Sequence, residues 1–151
     1  MNKLTLKEIT DFTSAKNIAV AGASRNKKKF GSQVYRSLKE KGYQLLPVHP
    51  EAADIEGDKC VKSVADIPAE FTHLLVITKK QYTDAIVDQA MAKGIKNLWL
   101  QQECATKETI EKAKSAGINV VNGECIFMHT QPKGIHNFHK SIRKFFGSFP
   151  K

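Results

Sequence analysis

Short apolar runs alternate with longer stretches of helical periodicity along most of the chain. The runs are Ile18–Ala21 (IAVA), Gln44–His49 (QLLPVH), Thr72–Thr78 (THLLVIT), Asn97–Gln101 (NLWLQ) and Ile118–Asn122 (INVVN). Continuous runs of this length, bounded by glycine, proline or polar residues, predict strands buried on both faces of a parallel sheet. Between them lie helical segments. Val34, Tyr35 and Leu38 mark the apolar side of one that Gly31 and Ser32 open. Ile86, Val87, Ala90 and Met91 mark a second over Gln81–Lys93. Thr106 is placed to cap a third over Lys107–Ala116. Gly42, Gly94 and Gly117 stand just beyond these segments, where helices end.

Two further amphipathic helices flank this core pattern. Thr5–Lys16 carries Leu6, Ile9 and Phe12 at helical spacing. Residues 134–147 carry Ile135, Phe138, Ile142, Phe145 and Phe146 on one side and His136, His139, Lys140, Arg143 and Lys144 on the other. The basic tail helix is expected to pack on the domain or on a homodimer partner, with contact to an anionic lipid or nucleic acid as the other reading. Glu51–Glu70 reads as a connection with a small strand at Lys59–Val61. A helical turn over Ser63–Ile67 follows, with Ser63 as its cap.

Strands that alternate with helices predict the α/β class. The expected architecture is one Rossmann-like domain over residues 1–151, with a doubly wound, mostly parallel sheet of about five strands and helices on both faces. Ligands in such sheets bind at the carboxyl ends of the strands, near the point where the strand order reverses. The candidate wall is therefore Gly22–Gly31, Val48–Pro50, Ile77–Lys79 and Gln101–Cys104.

The first strand–turn–helix unit carries the clearest chemistry. Gly22 ends the strand, and Ala23 and Ser24 are small enough for close approach to the backbone. Arg25, Lys27, Lys28 and Lys29 crowd the turn, and Phe30-Gly31 lead into the helix. Unpaired N–H groups and the positive end of the helix dipole favour an anion there, and the cations add attraction. A phosphate-bearing small molecule is the expected ligand. The same residues also suit a tight turn beside a solvated loop.

Composition narrows this only a little. The 151 residues are 41% hydrophobic and 26% charged, as in ordinary globular chains. No apolar run approaches the ~20 residues of a membrane span. MNKLTLKEITDF lacks the apolar core of a signal peptide, so a cytoplasmic location is expected. Cys60, Cys104 and Cys125 are widely spaced, which argues against a disulfide framework and a zinc site. His136 and His139 lie three apart but have no further ligands nearby, so no metal is expected. The net charge of +9 suits a polyphosphate, a nucleic acid or an acidic membrane surface. No nucleic-acid motif occurs, so nucleic acid is the least favoured partner.

Nicotinamide-binding domains carry an acid at the end of the second strand, for the ribose hydroxyls. Here that place holds His49-Pro50, which weighs against a dinucleotide. An NAD(H)-binding redox-sensing module stays as the alternative. No catalytic group assembles in the sequence. His73 stands at the start of a strand and reads as structural. His49 is near the site. Cys104 is the one candidate nucleophile, with a plain free thiol as the other reading.

The run VAGASRNKKKFGSQVYRSLKEKGYQLLPVHP resembles the phosphate-binding segment of the coenzyme A-binding domain family. These are small Rossmann-like proteins similar to the amino-terminal domain of the succinyl-CoA synthetase alpha subunit. The motifs are Gly22-Ala23-Ser24, Phe30-Gly31 and Val48-His49-Pro50, with SVADIP, LWLQQ and Cys125 further on. The likeness covers roughly residues 15–127. It implies coenzyme A or an acyl-CoA as ligand; since no catalytic group is assembled, binding without catalysis is expected. The backbone of Ala23, Ser24 and Arg25, with Phe30-Gly31, would hold the phosphates, and Lys27–Lys29 would add charge. Val48, His49 and Pro50 would sit beside the adenosine. Ile77, Thr78 and Lys79 would line the coenzyme, and Gln101 and Gln102 would lie toward the pantetheine arm. His49 stands where the family pattern has Asn, and Glu51 where synthetase-like members often carry Lys.

Overall fold

The structure is a computed structural model that describes residues 6–130. The predicted basic helix over 134–147 lies outside the described residues. The elements run α1 (Leu6–Thr13), β1 (Asn17–Ala21), α2 (Phe30–Glu40), β2 (Gln44–Val48), β3 (Asp54–Ile55), β4 (Asp58–Lys59), a 3-10 turn (Val64–Asp66), β5 (His73–Val76), α3 (Lys80–Lys93), β6 (Asn97–Leu100), α4 (Lys107–Ser115), β7 (Asn119–Asn122) and α5 (Phe127–Thr130). The main sheet has five strands in the order β2-β1-β5-β6-β7, every pair parallel. This is the α/β architecture that the alternation predicts.

The two faces of the sheet explain why its strands read as unbroken apolar runs. Ile18, Val20, Leu75, Trp99 and Val121 join Ile9 and Phe12 of α1 and Val34, Tyr35 and Leu38 of α2 in one core. The intervening Ala19, Ala21, Leu74, Val76, Leu98, Leu100 and Val120 join Val87 and Ala90 of α3, Ala113 of α4, and Val64 and Ile67 around the 3-10 turn in the other. Successive strand residues point to opposite faces, and here both faces are dry. Trp99 is fully buried. Its ring meets Phe12 edge-on at 5.3 Å, and its Nε1 donates to the Glu124 carbonyl at 3.2 Å.

Strand order sets the place of the site. From β1 the chain steps outward to β2, then crosses back over β1 to β5 on its other side. The switch point therefore lies between the carboxyl ends of β1 and β5. The register makes those ends level: Ala21 pairs with Val48 and Val76, Val76 with Leu100, and Leu100 with Asn122. The next residue of each strand, from Gly22 to Gly123, thus lies along one edge.

The segment between β2 and β5 differs from expectation. Ser63 stands at the N-cap of the 3-10 turn, as expected, but its side chain makes no capping bond; its Oγ donates to Asp66 Oδ2 at 3.2 Å. The turn's first N–H, on Val64, goes instead to Gln89 Oε1 of α3 at 3.3 Å. The expected strand at Lys59–Val61 is divided. Asp58 and Lys59 pair with β3 in a hairpin, while Val61 bridges to Val48. Two-residue strands lie below the length at which alternation can be read. On α3 the buried face is Thr83, Val87 and Ala90, with Ile86 and Met91 half-buried beside it.

Candidate functional site

The exit of β1, the start of α2 and the exit of β5 meet backbone to backbone. Gly22 has φ +112°, and a Cβ there would lie 2.5 Å from the carbonyl carbon of Ile77. A Cβ on Gly31 would collide with the carbonyl oxygen of Gly22. Ile77 N–H donates to the Ala21 carbonyl at 2.7 Å, which closes the β5 end onto β1. Only glycine allows this approach at both places.

The loop that follows Gly22 is held by its own short polar side chains. Asn26 N–H donates to Ser24 Oγ at 3.0 Å, and Lys28 N–H to Asn26 Oδ1 at 3.0 Å. The Ser32 hydroxyl of α2 donates back to the Ser24 carbonyl. Arg25, Lys27, Lys28 and Lys29 are exposed on this frame.

The helix amino termini at the switch point are electrostatically unusual. Lys29 precedes α2 and Lys79 precedes α3, and neither helix start receives a side-chain cap or an acidic residue in its first turn. By contrast Thr106 Oγ1 accepts from Thr109 N–H at 3.2 Å at the start of α4, and Glu108 stands in its first turn. A lysine beside the positive end of the helix dipole is unfavourable by itself. Two such ends sit at the carboxyl edge of adjacent strands, β1 and β5. Their summed positive potential suits an anion.

The remaining candidates fall along the same edge in different roles. Val48 ends β2 level with Ala21. His49 Nδ1 accepts from the N–H groups of Glu51 at 3.0 Å and Ala52 at 2.9 Å, so the ring proton belongs on Nε2. Pro50 is exposed beside it. Ile77 and Thr78 are half-buried, and Lys79 is exposed. Thr78 Oγ1 lies 2.7 Å from Thr83 Oγ1, which fixes the turn into α3. Thr83 carries no sequence signal beyond being a hydroxyl in a first helical turn.

Gln101 is buried, and both ends of its amide are engaged. Its Nε2 donates to Cys125 Sγ at 3.1 Å, and its Oε1 accepts from Ile126 N–H at 3.1 Å. It ties the end of β6 to the segment before α5. Gln102 follows it on the same edge, with its Oε1 buried. Cys104 is not a poised nucleophile. It is buried, its Sγ donates to the Val76 carbonyl at 3.3 Å, and burial pushes its thiol up to about 12. Nucleophilic attack needs the thiolate, which this environment suppresses. His73 lies at the opposite end of β5, against Phe12 at 5.1 Å, and burial lowers its pKa; both suit the structural role expected of it. Among the described residues no group of three His, Cys, Asp or Glu could hold a metal ion. No helix among them is long and apolar enough to cross a membrane.

The chain is similar in sequence and in fold to known proteins. A sequence profile of the CoA binding domain matches residues 16–131, and the chain belongs to that family. It is 27% identical over 146 residues to the acetate–CoA ligase [ADP-forming] II subunit alpha of Pyrococcus furiosus, a match that covers 89% of this chain and 30% of that subunit. The matched region thus spans less than a third of that relative's length. It is 25% identical to the uncharacterized protein YneT of Bacillus subtilis, over 83% of this chain and 91% of YneT. Among solved structures, a hypothetical protein from Pyrococcus horikoshii OT3 superimposes with a TM-score of 0.76 at 32% identity, over 83% of this chain and 94% of that one.

Proposed function

We propose that the chain binds coenzyme A or an acyl-CoA at the switch point, and that it does so without catalysing a reaction of its own. The observation that carries this reading is the contact of Gly22, Gly31 and Ile77 between two uncapped helix starts. The backbone contacts at the two glycines fill the space of the absent Cβ atoms and so bring the helix starts to the strand ends, and a diphosphate is stabilised where N–H groups and helix dipoles converge. Ala23, Ser24 and Arg25 supply the turn, and Phe30-Gly31 the helix start. Lys29 and Lys79 bring point charges from either side of the switch.

The neighbouring strand ends divide the rest of the ligand. Val48, His49 and Pro50 flank the nucleoside side, at the end of the strand adjacent to β1. His49 holds its own loop through Nδ1, and the absence of an acid at this strand end argues against the ribose contact of a dinucleotide. Ile77 and Thr78 line the centre. Gln101 and Gln102 follow the end of β6, on the side where the pantetheine arm would run. The proposed lack of catalysis is supported by the protonated, buried Cys104 and by His73 at the far end of the sheet.

Calorimetric titration of the full chain with coenzyme A, dephospho-coenzyme A, NAD and ATP, at two salt concentrations, tests this. Saturable binding of coenzyme A, weaker for the dephospho form, is the expected result. Binding of NAD in preference to coenzyme A would overturn it.

A further inference from the structure

One face of α2 joins two segments that lie far apart in sequence. Arg36 Nη2 donates to the Lys27 carbonyl at 2.8 Å, and Arg36 Nε lies 3.4 Å from Glu56 Oε1. Lys27 belongs to the basic loop before α2, and Glu56 to the turn of the β3–β4 hairpin. Gln33 Nε2 holds the next loop carbonyl, that of Lys28, at 3.2 Å. On the hairpin side, Lys39 Nζ donates to the Glu56 carbonyl at 2.7 Å and Tyr35 OH to Asp58 Oδ2 at 2.6 Å.

Glu56 is an unusual residue for its place. It has φ +52° and Gly57 has φ +82°, in a two-residue turn between Ile55 and Asp58. Such turns favour Asn, Asp or Gly first, and Glu is strained there. Strain of this kind persists where the surroundings hold it and where it serves a role. Here the strained residue aims its carboxylate at the guanidinium that grips the loop.

The charges explain the need. Arg25, Lys27, Lys28 and Lys29 repel one another within five positions. A further cation laid against them would add to the repulsion unless its charge were compensated. Glu56 supplies that compensation, so Arg36 can hold the Lys27 carbonyl inward. A carbonyl turned outward would present its negative end to an incoming phosphate.

We propose that Arg36, compensated by Glu56, is a positioning residue that pre-orders the basic loop 25–29 for a phosphate ligand and couples that loop to the β3–β4 hairpin. The ligand's identity rests on the proposed function; the ordering of the loop does not.

The test is limited trypsin digestion of the ligand-free full chain, with cleavage followed at Lys27, Lys28 and Lys29. Arg36→Leu removes both contacts. Glu56→Asn removes the carboxylate and also relieves the backbone strain. Both variants should raise cleavage within the loop about tenfold, since cleavage follows the population of the opened segment. Glu56→Asn should do so with no fall in its urea midpoint, because relief of the backbone strain offsets the lost ion pair, so that the extra cleavage is confined to the loop. Their affinity for coenzyme A should fall in proportion to the ordered fraction of the loop that remains, by less than the rise in cleavage as long as the ordered loop is the major state. Unchanged loop cleavage in Glu56→Asn, or cleavage raised equally throughout the chain, would overturn the proposal. Raised loop cleavage in a protein that takes up no coenzyme A would uphold the ordering role and overturn the ligand.

Discussion

The carbonyl oxygen of Gly22 occupies the space that a side chain on Gly31 would need. Nine positions apart in the chain, the two glycines let the first turn of α2 settle on the end of β1. The helix start is thereby brought to the sheet edge, beside Ile77 just past the end of the neighbouring strand β5.

Gly31→Ala should therefore damage the fold and the site together. The methyl group meets backbone, which cannot rotate away, so overpacking should cost about 2–3 kcal/mol. Gly22→Ala adds the penalty of φ +112° to its collision with Ile77 and should cost as much or more. Urea unfolding gives both values. Midpoints like that of the parent chain would show that the contact is slack.

Lys29→Glu and Lys79→Glu should separate stability from binding. An acid at the start of a helix interacts well with the dipole and should raise stability of the ligand-free chain by ~0.3–1 kcal/mol. The same change places a negative charge where phosphate is expected, so affinity for coenzyme A should fall at least about tenfold. Melting curves and calorimetry read the two effects. A parallel rise or fall of both would place the anion elsewhere.

His49 tests whether its ring acts as a loop anchor. Asn carries an acceptor Oδ1 close to the place of the imidazole Nδ1, so His49→Asn should keep both backbone bonds and change the urea midpoint little. His49→Leu removes the acceptor and leaves the Ala52 N–H, on a buried residue, without it. That should cost about 1–2 kcal/mol. Equal stability in the two variants would show that the Nδ1 bonds contribute nothing.

Cys104 makes a pH prediction. Its thiol is raised to about 12, mainly by burial, so the folded chain keeps the proton after the unfolded chain has lost it. The native state then binds more protons, and stability falls as pH rises from about 9 toward 12, by up to ~1.4 kcal/mol per pH unit. Burial raises Tyr35 and Tyr43 as well, and they add to the decline in the same direction. Melting temperatures between pH 8 and 11 should drop less steeply in Cys104→Ala than in the parent chain. Identical slopes would mean that Cys104 ionises as readily folded as unfolded. At neutral pH, native Cys104 should also resist alkylation by iodoacetamide.

The sequence by itself determined the elements of this protein. The inner strands β1, β5 and β6 are buried on both faces, so their burial is written as unbroken apolar runs: Thr72–Thr78 holds β5 and Asn97–Gln101 holds β6. Thr106 and Gly94 mark helix ends through local backbone chemistry, which a short window contains. The basic turn between Gly22 and Gly31 was visible for the same reason. What only the tertiary structure decided is which strand ends stand side by side. The switch between β1 and β5 depends on strand order, and so do the contact of Gly22 with Ile77, the internal ties of Gln101 and the burial of Cys104. The β3–β4 hairpin is too short to show a period, and its turn places Glu where turn preferences favour other residues, so neither signal announces it. Periodicity records how deeply a residue is buried; it carries no record of which distant segment buries it, and the site is made of such distant pairings.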